Sequence, residues 1–457
     1  MPVKKSYFRI AGKYAAFGAA ALVLVILINT LAGGLSCLRL DVSGNGLYTP
    51  SSETAKVLSS LKSDIMVYAV GSETTAAVRI REIAEKFAAA GPRVKFDYIA
   101  EDAAAYVTGG TPAVSDMIVT DGQYSVIIPS SETIAYSVST DENGKSQVDG
   151  LQFTAEQQLL TAVEAITADS PMAYYLSGHG ESEPESSLDK TILKNHYHYQ
   201  ALYLYEISDV PEDCGLIFIN APTTDITDKE RDLLIRYLGE GGNIVLVTDS
   251  KTKMGANLAS VAAYAGLAEK PGVIVEGDTG HMYDKSYPYY LLADYAEGGK
   301  AIPVLMGLAH GIEMTGAEGF ETRAVLISSE KSFLKPGARS DGVITYAEGD
   351  ETGPFTLAAL SKAENGGKLF WVASGQCMID SIDTMVSGSN YSLLGSVIAD
   401  MRGEAEPFTQ VEGKPYEPVE LNISGPVPGL ILLCTAVILI AAGIIVSAKK
   451  RSAKIEE

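Results

Sequence analysis

The chain has few cysteines and few basic residues for its length. Only four of its 457 residues are cysteine, and two of these, Cys37 and Cys434, lie at or within long apolar segments. So few thiols exclude a disulfide-rich scaffold. Cys214 and Cys377 are expected to be separate packed thiols, and a disulfide between them is the alternative in an oxidising compartment. Asp and Glu outnumber Lys and Arg by 57 to 35, for a net charge of −22. Such a charge repels phosphate backbones and argues against a nucleic-acid partner.

Motifs of common catalytic and metal sites are also absent. The sequence contains no C-x-x-C and no H-E-x-x-H, so no metal site is expected, although His196 and His198 could share one face of a strand. Gly144-Lys145-Ser146 resembles the end of a phosphate-binding loop, but the first glycine of that motif is replaced by Ser139. A hairpin turn is the better interpretation, and no cofactor is expected. No G-x-S-x-G surrounds a candidate nucleophile.

Two long uncharged apolar segments are present, Ala15–Leu35 and Gly429–Ser447. Each has about the 20 residues that a helix needs to cross a bilayer. Basic residues flank both on the outer side, which favours cytoplasmic termini. The sequence therefore predicts a double-pass protein of the cell membrane with a large extracytoplasmic region. A cleaved signal peptide is the alternative for the first segment, but no small-x-small site follows its apolar run.

These segments divide the chain into seven predicted parts. They are a cytoplasmic basic tail (1–13), a transmembrane helix (14–38), a small α/β membrane-proximal domain (39–150), a second α/β domain (151–403), a linker (404–427), a second transmembrane helix (428–447) and a second cytoplasmic basic tail (448–457).

The small domain begins with a helix predicted from Thr49-Pro50, with Thr as the N-cap. Apolar runs at Ile65–Val70 and Val94–Ile99 then flank a segment with helical spacing, which indicates a parallel strand–helix–strand crossover. Short strands around Asp121-Gly122 and again around residues 141–144 predict two hairpins.

The second domain alternates short apolar strands with amphipathic helices. Two of its helices are preceded by predicted capping boxes, Thr154-x-x-Gln157 and Thr227-x-x-Glu230. This alternation indicates a parallel sheet covered on both faces. The segment Tyr283–Lys335 fits no regular pattern. The predicted buried strands are Met172–Leu176, Leu216–Asn220, Ile244–Thr248 and Lys368–Ser374.

Ligands of an open parallel sheet bind where its strands deliver loops from their carboxyl ends. If these strands are neighbours, their loops line one crevice. The turn Gly178–Glu181 is the most distinctive loop, because its glycines permit close approach while its His and Glu offer hydrogen-bonding groups. Catalysis with Ser177 beside His179 and a purely structural turn are the alternatives. The candidate ligand- or partner-binding residues are Gly178, His179, Gly180, Glu181, Asn220, Asp249, Ser250 and Gln376.

The tyrosine-rich stretches Tyr197–Tyr205 and Tyr287–Tyr290 could bind sugars or cover an edge of the sheet.

An ordered set of short stretches carries a resemblance. They are Leu40–Ser43 with Leu47–Ser51, then Glu156-Gln157, Leu176–Glu181, Asp225–Leu238 with Gly241–Asn243, and Ser389–Tyr391 with Leu393-Leu394, between the two apolar segments. The chain thereby resembles the GldG-like auxiliary subunits of ABC-type transport systems, first associated with bacterial gliding motility. The resemblance implies a flavodoxin-like parallel-sheet domain and a non-enzymatic component working beside separate permease and ATPase chains. It supplies no catalytic residues.

The sequence therefore predicts a non-enzymatic, membrane-anchored accessory subunit of an ABC transporter. Its extracytoplasmic domain would bind a substrate, the cell envelope or a partner subunit. A cell-envelope enzyme acting on glycans or peptides, with His179 and Glu181 at its centre, is one alternative. A structural envelope scaffold is the other.

Overall fold

The computed structural model describes residues 45–140, 146–298, 303–336 and 345–416, without the side chains of 137–140 and 146–149. The chain divides into two compact units. The structure describes residues 45–49, 136–140, 146–153 and 414–416 of the first unit. The second unit consists of Pro50–Ala135 and Thr154–Gly413. The domain boundaries predicted from the sequence stay predictions.

The regular elements are short throughout the described residues. The helices are α1 (Ser52–Ser60), α2 (Val78–Ala89), α3 (Glu101–Thr108), α4 (Ala155–Thr167), α5 (Ser186–Lys194), α6 (Asp228–Gly239), α7 (Ala256–Tyr264), α8 (Asp380–Met385) and α9 (Ser389–Arg402). The strands are β1 (Ile65–Val70), β2 (Val94–Ile99), β3 (Met117–Thr120), β4 (Ser125–Ile128), β5 (Ile134–Thr140), β6 (Ser146–Phe153), β7 (Met172–Leu176), β8 (His198–Leu202), β9 (Cys214–Asn220), β10 (Asn243–Val247), β11 (Leu267–Lys270), β12 (Val273–Val275), β13 (Tyr290–Tyr295), β14 (Val304–Gly307), β15 (Gly311–Met314), β16 (Phe320–Ile327), β17 (Phe333–Lys335), β18 (Thr356–Ala363), β19 (Lys368–Val372) and β20 (Lys414–Pro415).

In the first unit, β20, β6 and β5 form a three-stranded sheet in that order. The ring of Phe153 at the end of β6 meets the edge of Tyr48 at 5.7 Å and stacks on Tyr416 at 5.9 Å between ring centroids. These aromatic contacts hold the three separate chain segments of the unit together. The turn of the predicted second hairpin, residues 141–145, lies outside the described residues.

A four-stranded sheet with the order β2-β1-β3-β4 belongs to the second unit. Strands β1 and β2 are parallel and are connected by α2, which confirms the predicted crossover. Strands β3 and β4 form the predicted hairpin. The predicted start of α1 was wrong, because Ser51 rather than Thr49 is its N-cap and accepts a hydrogen bond from the backbone of Thr54.

The large sheet of the second unit is mixed. Strands β8, β7, β9, β10 and β19 lie side by side and are parallel, as predicted for this part. Beyond β19 the sheet continues as β18, β16, β13 and β14, each antiparallel to its neighbour. The predicted flavodoxin-like parallel sheet is therefore corrected to a mixed sheet. Strands β11 and β15 complete it beside this path, since β15 pairs with both β11 and β18. The segment Tyr283–Lys335 supplies four of the added strands, β13, β14, β15 and β16.

Helices cover both faces of this sheet. Successive residues of a strand point to opposite faces, so neighbouring residues of β10 pack in different apolar clusters. Val245 belongs to one apolar cluster, together with side chains of α5 and α9. Leu246 belongs to the other, together with side chains of α6 and α7. The two free thiols separate in the same way, since Cys377 lies in the first cluster and Cys214 packs against the second.

The outer strand β14 is tied down by the start of α9. Asn390 is buried, and its carboxamide accepts a hydrogen bond from Leu305 N at 2.9 Å and donates to Leu305 O at 3.2 Å. Its neighbour Ser389 donates to Pro303 O at 2.6 Å. The side chain of Asn390 thus takes the place of a further strand on the backbone of β14, which protects that edge.

The membrane part of the predicted fold class is contradicted. Among the described residues no helix is long and apolar enough to cross a membrane. The longest of them, α9, has 14 residues and rises only about 21 Å, whereas the hydrocarbon core is about 30 Å thick. The predicted two-span architecture is therefore corrected to a mixed α/β fold with several sheets. The predicted double-pass localisation is contradicted by the same finding. The segments given to the spans and tails, residues 1–38 and 428–457, lie outside the described residues.

Candidate functional site

The four loops predicted to form one crevice do follow neighbouring parallel strands. Loops after β7, β9, β10 and β19 leave the same edge of the sheet, in the spatial order β7-β9-β10-β19. Hydrogen bonds link them directly: Ala221 N donates to Val247 O at 3.0 Å, and Thr248 N donates to Val372 O at 3.1 Å. The candidate residues therefore lie side by side at the carboxyl ends of these four parallel strands.

The turn Gly178–Glu181 needs both of its glycines. Gly178 has φ +114° and Gly180 has φ +72°, in the region that side chains disfavour. A Cβ atom on Gly178 would lie 2.7 Å from the ring of Tyr205, and one on Gly180 would lie 2.1 Å from the hydroxyl of Thr223. Close packing and backbone conformation together require glycine at both positions.

His179 is buried, with 6 % of its surface exposed, and both of its ring nitrogens face carboxylates. Its Nδ1 lies 3.0 Å from Glu181 Oε1, and its Nε2 lies 3.2 Å from Glu230 Oε2. Its backbone N–H donates to Glu181 Oε2 at 2.7 Å. The ring of His179 is therefore held from both sides by the carboxyl groups of Glu181 and Glu230.

Glu230 also starts helix α6, and sequence reasoning did not connect it with His179. Its Oε2 atom accepts from Thr227 N at 2.8 Å and Thr227 Oγ1 at 2.7 Å, which confirms the predicted capping box. Burial raises the pKa of the Glu230 carboxyl, but the hydrogen bonds from Thr227 and His179 outweigh it, so this pKa lies below its ordinary value of 4.5. The capping-box pattern was the available signal, but it gives no hint of the contact with His179.

The backbone carbonyl of His179 is held as firmly as its ring. It accepts from Thr223 N at 3.0 Å, from Thr224 N at 2.9 Å and from Thr224 Oγ1 at 3.1 Å. The hydroxyl of Ser177 donates to Tyr175 O at 3.2 Å rather than to His179. The turn thus braces the loop after β7 against the loop that leads into α6.

Beside this turn lies a cleft of about 350 Å³. Four of the predicted site residues line it: Gly178, Gly180, Glu181 and Asn220. His179 is not among the lining residues. The other lining residues are Tyr175, Leu176, Ser177, Ser182, Glu183, Pro184, Ala201, Tyr203 and Phe218.

Asn220 ends strand β9 and is buried, with 7 % of its surface exposed. Its Nδ2 donates to Ser182 O at 2.9 Å, and Ser182 N donates to Asn220 O at 2.8 Å. Its Oδ1 accepts no hydrogen bond from the part of the chain that the structure describes. The amide is therefore fixed in orientation and leaves one buried acceptor unpaired among the described residues.

Asp249, Ser250 and Gln376 lie further along the same edge and do not line this cleft. Ser250 Oγ donates to Leu308 O at 2.6 Å, and Asp249 Oδ1 accepts from Lys251 N at 2.9 Å. Asp249 borders a separate narrow pocket of about 10 Å³, room for about one water molecule. The structure therefore divides the predicted site into two parts. One is the cleft beside the turn, and the other is the group of loops that carry Asp249, Ser250 and Gln376.

Below these loops is a second buried histidine, His310, which sequence reasoning left in the unpatterned region. The indole N–H of Trp371 donates to Thr248 Oγ1 at 2.7 Å, and Thr248 Oγ1 lies 2.6 Å from His310 Nε2. His310 Nδ1 lies 2.8 Å from Gly311 O, a group that can only accept. Nδ1 must then carry a proton, whereas the Thr248 hydroxyl can either donate to Nε2 or accept from it. Burial lowers the pKa of His310 from 6.5 to about 4.

No cluster of three or more His, Cys, Asp or Glu among the described residues could hold a metal ion. The two histidines that could have shared a strand face have different partners. His196 stacks on Phe408 at 3.9 Å between ring centroids, and His198 stacks on Tyr124 at 4.4 Å. Their spacing in the sequence therefore reflects packing.

Comparisons with known proteins give weak structural likenesses. No family model matches the chain, and no curated protein matches it either. The mmIFT52 N-terminal domain is 16 % identical over 51 % of this chain and 99 % of its own length, with a TM-score of 0.39. PurLQS from Thermotoga maritima is 11 % identical (50 % and 98 % covered, TM-score 0.27), and the exo-β-1,4-mannosidase Op5Man5 from Opitutaceae bacterium strain TAV5 is 10 % identical (70 % and 48 % covered, TM-score 0.30). These likenesses are too low to support an inference about this chain.

Proposed function

We propose that this protein is a non-enzymatic recognition component that works beside the separate permease and ATPase of an ABC-type transport system. It binds its ligand or partner at the carboxyl edge of the large sheet. The observation that carries the binding role is the cleft of about 350 Å³ beside a turn whose only histidine is already fully engaged.

The engagement of His179 favours binding over catalysis. A general base must reach the proton that it removes, but both ring nitrogens of His179 face carboxylates and the ring is buried. The neighbouring Ser177 hydroxyl is directed to a backbone carbonyl. An envelope enzyme that used His179 as its base would have to break the contacts of His179 with Glu181 and Glu230 before each turnover.

The transport part of the proposal is supported by the ordered resemblance to GldG-like subunits. The structure gives physical roles to several matching residues: His179, Gly180 and Glu181 form the brace with Glu230, and Ser389 and Asn390 tie down β14. Because the sequence has no phosphate-binding loop for nucleotide hydrolysis, the ATPase is a separate chain.

The test is affinity purification of the tagged full-length chain in mild detergent, with co-purifying chains identified by mass spectrometry. Recovery of an ATPase together with a multi-span permease, absent from a control with the tag alone, is the expected result. Recovery of neither chain would overturn the transport role. Turnover of glycans or peptides that is lost in a folded His179→Gln variant would overturn the non-enzymatic role.

A further inference from the structure

We propose that the cleft beside the Gly178–Glu181 turn binds a neutral saccharide. This inference rests on the proposed recognition role and names the ligand class of the same site. It is carried by the partly exposed ring of Tyr203, the hydroxyl oxygen of Ser177 and the charges of the residues that line the cleft.

Aromatic residues line the cleft. Tyr175 and Phe218 are buried, and their rings meet edge to face at 5.9 Å between centroids. Tyr203 stands at the rim with 43 % of its surface exposed, and its ring is supported by Tyr205 at 5.9 Å. Tyr205 in turn packs on Gly178, which leaves no room for a side chain. A supported, partly exposed tyrosine offers a flat apolar face with a polar tip, which suits the C–H face of a sugar ring.

Polar groups of the cleft match hydroxyl groups. Asn220 Oδ1 has no hydrogen-bond partner among the described residues, while its Nδ2 is held by Ser182 O. The Oδ1 atom is itself buried, so a ligand hydroxyl would reach it only through a shift of the side chains that line the cleft. The hydroxyl of Ser177 has its proton directed to Tyr175 O, so its oxygen retains lone pairs for a ligand donor.

The charges of the cleft favour a neutral ligand over an ionic one. None of the described residues that line it is Lys, Arg or His, so phosphate and acidic sugars find no counter-charge. Of the two lining carboxylates, Glu181 is already bound to His179. Only Glu183 is then left to pair with a cation. The volume of about 350 Å³ lies at the small end of the range of about 300–1,000 Å³ for ligand sites.

The experiment is saturation-transfer NMR and calorimetric titration of the full-length protein with the methyl glycosides of glucose, galactose, mannose and N-acetylglucosamine. Choline and inorganic phosphate serve as cationic and anionic probes. The test variant is Tyr203→Ala. Tyr106→Ala is the matched control, because Tyr106 is 92 % exposed and lies on α3, away from the cleft lining.

Binding of at least one glycoside, weakened about five- to tenfold by Tyr203→Ala and unchanged by Tyr106→Ala, is the expected result. The inference is overturned if no glycoside binds, if choline or phosphate binds in their place, or if Tyr203→Ala binds as the wild type does. Failure here with an ATPase and a permease still co-purifying would remove the ligand class alone. Glycoside binding without those chains would remove the transport role alone.

Discussion

Two buried histidines lie at the same edge of the large sheet in opposite surroundings. The ring of His179 stands between the carboxylates of Glu181 and Glu230. The ring of His310 stands between the Thr248 hydroxyl and the Gly311 carbonyl. Both are almost fully buried, at 6 % and 0 % exposed. The comparison teaches that two histidines buried to a similar extent can serve different structures: one ring joins two carboxyl groups, and the other is kept neutral at pH 7 by its burial.

The largest expected effect comes from breaking the contact between His179 and Glu230. Glu230→Ala removes the acceptor of His179 Nε2 together with the cap of α6, and it leaves the buried ring facing an empty space. Removing one partner of a buried ion pair costs about 3–5 kcal/mol. We expect a loss of that size in the free energy of unfolding, measured by chemical denaturation at pH 7.

Glu240→Ala is the control, because Glu240 is exposed at the other end of the same helix. That variant is expected to stay within about 0.5 kcal/mol of the wild type. Equal stability of Glu230→Ala and Glu240→Ala would contradict the role given to this contact.

The neutral histidine gives a smaller, pH-dependent effect. Above pH 6.5 His310 is neutral in both states, so it contributes its full stability there. Below pH 6.5 the unfolded chain binds a proton, whereas the folded chain does not until about pH 4. Stability is therefore lost as the pH falls through this window. Between pH 7 and pH 5 the loss is about 2 kcal/mol, measured by denaturation at both pH values.

His310→Gln separates this effect from other groups that titrate in the same range. Burial raises the pKa of Asp189 to about 6, which acts in the opposite direction because the folded state then binds the proton first. The difference between wild type and variant cancels Asp189. We expect the wild type to lose more stability than His310→Gln between pH 7 and pH 5, and parallel pH profiles would refute the neutral ring.

The smallest expected effect concerns the cap of α6 alone. Thr227→Ala removes the hydroxyl that accepts from Glu230 N and donates to the Glu230 carboxylate. Loss of such a cap costs about 1 kcal/mol. The matched change Thr154→Ala removes no cap of α4 and only the hydrogen bond from Thr154 to Glu132 O, so it is expected to cost less. Thermal denaturation of the two variants makes the comparison. A larger loss of stability in Thr154→Ala than in Thr227→Ala would contradict the role given to the cap of α6.

Thr154 also shows where sequence patterns mislead. Its spacing to Gln157 matches a capping box as well as that of Thr227 to Glu230. In the structure its side chain makes no cap hydrogen bond and donates instead to Glu132 O, while Gln157 donates to Thr161 and to Thr409 O. Both side chains therefore bond to partners outside the capping-box pattern, and the sequence around Thr154 gives no sign of these partners.

The parallel part of the large sheet was predictable because its strands are buried on both faces. Ile244–Val247 and Leu369–Val372 read as continuous apolar runs, bounded by turns. The antiparallel part was not predictable. Strand β16 is partly exposed along much of its length, and its partners β13 and β18 lie far from it in the sequence. Such strands owe their pairing to tertiary contacts and carry little local signal.

The candidate site was predicted in position but not in its internal contacts. The rule for carboxyl ends of parallel strands located Gly178, Asn220 and Asp249 on one edge. It could not show that Glu230 contacts His179, since 51 residues separate them. Nor could it separate the cleft from the loops around Ser250 and Gln376, which depends on Leu308 and its neighbours in the antiparallel part.

The central claim is that His179 and Glu230 form one structural brace and are not a catalytic pair awaiting substrate. A double-mutant cycle of His179→Gln and Glu230→Gln, followed by chemical denaturation at pH 7, tests it most directly. The account predicts that the two single losses are not additive, with an interaction energy of at least about 1 kcal/mol between the side chains. Losses that add to within about 0.5 kcal/mol would show two independent residues and would contradict the account.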